Sequence, residues 1–151
     1  KVVFDSGVVT IRAFAAARGG RVYRIDDGAK SLIVAGCTAR ASDVLAAARG
    51  SRIGAAIVAT ASAKLISIET NAAKAAGIAA DVYPECMTPQ DALQAANDAR
   101  LSGALLAPLI PPANKAAWSE AATIPAGTGF SFAPAGTVMD LTGAAPAITT
   151  P

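Results

Sequence analysis

Two cysteines stand in the 151 residues, Cys37 and Cys86. A thiolate is a strong nucleophile, and Cys37 occupies a place where such a group does chemistry. It follows the mostly apolar run Ser31–Ala35 and sits in the turn Gly36-Cys37-Thr38. A strand ending there presents Cys37 and Thr38 at its carboxyl edge, where open α/β sheets bind ligands. A helix starting near Ser42 lowers the pKa of a thiol close to its N-terminus. Cys37 and Thr38 are the candidate catalytic residues, with Thr60 and Ser62 at the next strand end. The competing reading makes Cys37 a small apolar side chain packed at a strand end.

The rest of the composition removes chemistry rather than adding it. The chain has no histidine, which takes away the commonest general base and every Ser-His or Cys-His pair. Two cysteines without histidine make neither a zinc site nor a disulfide framework, so no cofactor and no metal is expected. Asp26 and Asp27 offer a cation two carboxylates, but beside Gly28 such residues form turns. Gly127-Thr128-Gly129 lacks the lysine and the strand–helix setting of a phosphate loop. The 13 basic and 11 acidic residues are scattered, and the pairs Arg18–Arg21 and Arg49–Arg52 flank turns. No nucleic-acid partner is expected. The apolar stretches Ile53–Ala63 and Gly103–Ile110 are too short to span a bilayer, so neither is a membrane.

The elements that must hold these residues change character along the chain. Val8–Phe14, Arg21–Ile25 and Ser31–Ala35 read as strands joined by turns at Gly19-Gly20 and Asp26-Asp27-Gly28, an antiparallel meander of three. The apolar run Ser31–Ala35 marks a strand covered on both faces. Alternating helix and strand follow. Ser42 caps a helix through Arg49, with Gly50 beyond it. Ile53–Ala59 is a buried strand. Ser62 opens a helix with Leu65, Ile68, Ala72, Ala75 and Ala76 on one side, stopped by Gly77. Ile78–Tyr83 is a strand. Thr88-Pro89-Gln90-Asp91 starts a helix with a cap hydroxyl, proline at the first position and an acid in the first turn. Leu93, Ala96, Arg100 and Leu101 form its stripe. Gly103–Ile110 is a further strand, and Trp118 packs a short helix onto the core or an interface.

The segments Phe4-Asp5-Ser6-Gly7-Val8 and Leu32-Ile33-Val34-Ala35-Gly36-Cys37-Thr38 resemble the Asp-Ser-Gly and Cys-Thr motifs of aspartate/glutamate racemases. The resemblance implies an acid–base role for Cys37. Ala39 stands where that family places a histidine, and the two segments lie closer together than the family spaces them. The run Lys74–Pro84 with Thr88-Pro89 is similar in pattern to uroporphyrinogen-III synthases, which implies a parallel β-α-β sheet.

The fold class expected is α/β (or α+β): a three-stranded antiparallel meander, then β-α-β units on a mixed sheet, then a β-rich irregular tail. Residues 1–124 form one domain. Residues 125–151 form a Pro/Gly-rich extended arm, whose one charged residue is Asp140. An apolar fraction of 53%, mean hydropathy of +0.44 and an abundance of alanine leave apolar surface that a small core does not hide. These features point to a structural, self-assembling protein of a virion, phage particle or shell, forming a homo-oligomer or joining a companion structural protein. The virion or a bacterial cytoplasm is its expected place. The alternative is a small α/β enzyme or ligand-binding domain with its site near Cys37. The start at Lys1 fits one fragment of a larger processed chain.

Overall fold

The computed structural model describes residues 1–37, 40–50, 53–61, 63–78, 86–99, 104–108, 130–132, 136–143 and 147–149. Its elements are β1 (Val2–Asp5), β2 (Thr10–Ala15), β3 (Arg21–Asp26), β4 (Ser31–Ala35), α1 (Ala41–Ala48), β5 (Ile53–Thr60), α2 (Ala63–Ala76), α3 (Pro89–Asp98), β6 (Ala104–Pro108), β7 (Phe130–Phe132), β8 (Val138–Asp140) and β9 (Ala147–Thr149). Strands β1 to β7 lie side by side in sequence order in one mixed sheet. The pairs from β1 to β4 are antiparallel, and those from β4 to β7 are parallel. The expected α/β class holds, with the meander one strand larger because β1 precedes it.

Local chemistry accounts for the turns. Asp27 accepts hydrogen bonds from the backbone N–H groups of Ala29 and Lys30 at 3.0 and 2.7 Å, and Gly28 takes the left-handed φ of 87° that the β3–β4 turn requires. At α3, Thr88 Oγ1 accepts from the Asp91 N–H at 3.1 Å and the Asp91 carboxylate accepts from the Thr88 N–H at 3.3 Å. This is the reciprocal capping box, with Pro89 at the first helical position. Helix α1 starts two residues earlier than expected. Arg40 occupies the cap position, its N–H donating to Asp43 at 2.9 Å, while Ser42 lies inside the helix.

Helices α1 and α3 pack on each other and on the same face of the sheet. The core between them is made of Val22, Ile33, Ala35, Val44, Ala47, Ala56, Val58, Met87, Ala92 and Ala95. The buried residues of α3 are Ala92 and Ala95, while Leu93 of the expected stripe is half-buried; the Ala96 side chain, Arg100 and Leu101 lie outside what the structure describes. Helix α2 also turns away from its expected orientation. Ile68 is 56% exposed, Ala72, Ala75 and Ala76 are exposed, and Ala73 is buried. Alanine occurs on all sides of this helix, so its spacing does not select a face. Gly77 ends α2 as expected, with a φ of 67°.

In the C-terminal part, β7 joins the main sheet, and β8 and β9 form a separate antiparallel pair. The Lys30 ammonium donates to the carbonyl oxygens of Leu141 and Gly143, tying the end of β8 to the β3–β4 turn. The expected strand Ile78–Tyr83 falls, beyond Ile78, outside the described residues, as do Trp118 and Gly127-Thr128-Gly129.

Candidate functional site

The parallel strands β4 and β5 run in register, Ala35 opposite Val58, so their carboxyl ends bring Cys37 and Thr60 to the same level of the sheet. The segment before α3 closes over this edge. Met87 forms a bridge with Thr60, and its carbonyl oxygen accepts from the Ala61 N–H at 3.1 Å. Beside it, Cys86 is joined to Cys37 by a disulfide, with the Cα atoms 4.3 Å apart. In this state Cys37 carries no free thiol. The edge is clasped rather than open. Thr60 is fully buried, and its hydroxyl has no hydrogen-bond partner among the described residues. Thr38 and Ser62 lie outside the described residues. Among the described residues no group of three His, Cys, Asp or Glu side chains gathers to hold a metal, and no helix is long and apolar enough to cross a membrane.

A second polar cluster, at the amino end of β4, was not foreseen. Asp26 is the last residue of β3 and receives Arg12 from β2, Arg24 from its own strand and the Ser31 hydroxyl from β4. Burial pushes the Asp26 carboxyl upward, but the Ser31 hydroxyl, the Arg24 hydrogen bond and charge, and Arg12 outweigh it and hold the pKa below the ordinary value. Arg24, 9% exposed, also donates to the carbonyl oxygens of Ala47 and Arg49 at 2.9 and 3.1 Å. Those are groups at the end of α1 that the helix itself leaves unpaired. Its guanidinium stands 5.5 Å from the centre of the Phe14 ring. A cleft of about 420 Å³ lies beside Arg12, Arg24, Asp26, Lys30, Ser31 and Gly50. Its charges are already paired to each other or to backbone carbonyls, which makes the cluster a fastening between strands and helix. Of the two acids read as a turn or cation pair, Asp27 forms the turn and Asp26 is the centre of the ion pairs.

The sheet's two faces differ sharply. On the face under α1 and α3, Val22, Ile33, Ala35, Ala56 and Val58 are all at most 2% exposed. Cross-strand partners share a face, and the register sets Phe4, Ile11, Ile25, Leu32 and Ala55 in one row of the other face and Ala13, Tyr23, Val34 and Ile57 in the next. In these rows Phe4 is 52% and Tyr23 40% exposed, Ala55 on β5 is fully buried, and the remaining six are half-buried. Ser31–Ala35, expected to be covered on both faces, is covered fully on one and partly on the other. Ile33 and Ala35 lie under helices, whereas Leu32 and Val34 stay partly open. Both sets are apolar, and the sequence alone gives them the same appearance.

The architecture is that of a mixed-sheet α/β domain with helices α1 and α3 together on one face. No family model matches the chain, and no curated protein matches it. Among solved structures the fold is similar to that of a new diphosphatase from the PhnP family, with 9% identity, 88% of this chain covered and a TM-score of 0.50. This chain spans 43% of that chain's length. At such identity the likeness concerns the fold alone.

Proposed function

We propose that this protein is a structural, self-assembling component, of the kind that builds a particle or shell, and that its subunits meet through the open sheet face. One observation carries the reading: two cross-strand rows of apolar side chains, one partly covered from β1 to β4 and the other from β2 to β5. Monomeric proteins rarely leave large continuous apolar patches uncovered, and face-to-face packing of two sheets is a standard way to bury one. A second copy of the chain is the occupant that fits. The two rows carry no charge that would select a differently charged partner, and a self-complementary patch generates a two-fold dimer.

Sedimentation equilibrium across the micromolar range tests the proposal. The wild-type chain is expected as a dimer or larger assembly, and Val34→Lys, which puts an ammonium into the apolar row, weakens association at least about tenfold. A wild-type chain that stays monomeric throughout, or needs a companion protein to associate, contradicts it.

A second reading, a ligand-binding α/β domain or small enzyme with its site at the strand ends near Cys37, is favoured by the Thr60 hydroxyl at that edge, which has no partner among the described residues. Equilibrium dialysis of the reduced protein against inorganic diphosphate, the group that the similar diphosphatase is named for, separates the two. Saturable binding abolished by Thr60→Val supports the second reading.

A further inference from the structure

We infer that the Cys37–Cys86 bond is a thiol-exchange site, at which a small thiol attacks Cys37 and releases Cys86. The inference is independent of the assembly reading. The two sulfurs belong to unlike surroundings. Cys37 lies half-buried in a turn, next to exposed Gly36. Cys86 is only 7% exposed, and its neighbour Met87, 5% exposed, is part of the core. Exchange requires the attacking thiolate to reach one sulfur while the other departs. Access therefore selects Cys37.

The steps balance. A small-thiol thiolate bonds to Cys37 Sγ, the Cys37–Cys86 bond breaks, and its electron pair leaves on Cys86 Sγ as a thiolate that takes a proton from water. A second small thiol then attacks the mixed disulfide, releasing Cys37 as a thiol and carrying away the oxidised small-thiol disulfide. Two electrons pass from the small thiols to the protein. The fold has other fastenings at this edge. The Thr60–Met87 bridge, the Ala61–Met87 hydrogen bond and the Thr88–Asp91 capping box involve neither sulfur. Opening the bond therefore unclasps the end of β4 from the start of α3 without detaching α3 from β5.

The test is incubation of the oxidised full chain with reduced glutathione in native buffer, then acid quenching, alkylation and peptide mapping by mass spectrometry. The expected adduct is glutathione on Cys37 with Cys86 alkylated, and the far-ultraviolet circular dichroism is unchanged. Two single variants keep the test open if the double-cysteine form behaves poorly. Cys37 in Cys86→Ser should react with an aromatic disulfide reagent at least about tenfold faster than Cys86 in Cys37→Ser. The inference is overturned by glutathione found mainly on Cys86, by exchange only in denaturant, by an air-oxidised chain that holds two free thiols, or by equal rates in the two variants.

Discussion

The guanidinium of Arg24, in the middle of the sheet, donates to the carbonyl oxygen of Ala47 at 2.9 Å and so closes the C-terminal end of helix α1. A positive group at that end also complements the helix dipole. Strand, helix and the Asp26 carboxylate are thereby joined through one buried side chain.

Arg24→Ala removes these bonds and leaves the Ala47 carbonyl and Asp26 short of partners in the interior. Unfolding by urea, followed by circular dichroism, should show a loss of about 3 kcal/mol, with Arg24→Lys recovering only part of it. Lysine brings the charge but not the fork of donors.

Asp26 gives stability a defined pH dependence. Its folded pKa is lowered, so the unfolded chain binds its proton more readily. The stabilisation is complete above the ordinary carboxylate value of about 3.9, and it is lost as pH falls through the lower folded-state value. Thermal melts between neutral and acid pH should steepen over that range for the wild type and flatten for Asp26→Asn.

Thr60 keeps a buried hydroxyl without a partner among the described residues. Its replacement by valine, of nearly the same shape, should leave stability unchanged or raise it by up to about 1 kcal/mol. A clear loss would mean that the hydroxyl is bonded in solution.

At the start of α3, Thr88→Ala removes the acceptor for the Asp91 N–H and should cost about 1 kcal/mol. Thr88→Ser should restore most of it. Chemical denaturation reads both.

The parts of this structure legible in the sequence are those whose physics is local. Thr88-Pro89-Gln90-Asp91 and Asp27-Gly28 carry cap and turn chemistry within four residues, and both elements form where expected. The Asp26 cluster needs Arg12, Arg24 and Ser31 brought together by strand register, which neither composition nor spacing displays. The Cys37–Cys86 pairing spans a sequence separation of 49 and likewise depends on the crossovers between β4 and α3. The difference between the two sheet faces was hidden for another reason. Leu32, Ile33 and Val34 are equally apolar, so the alternation in cover comes from where α1 and α3 pack and not from residue type. In α2 the uniform alanine content concealed which side is buried.

The central claim is that a copy of the same chain covers Leu32, Val34 and Ile57. Isotope-filtered nuclear magnetic resonance on an equal mixture of labelled and unlabelled chains measures it directly. The claim predicts intermolecular contacts from the methyl groups of these residues to the same face of the unlabelled partner, weakening on dilution. Methyl groups that meet only their own chain, in a particle of monomer mass, would contradict it.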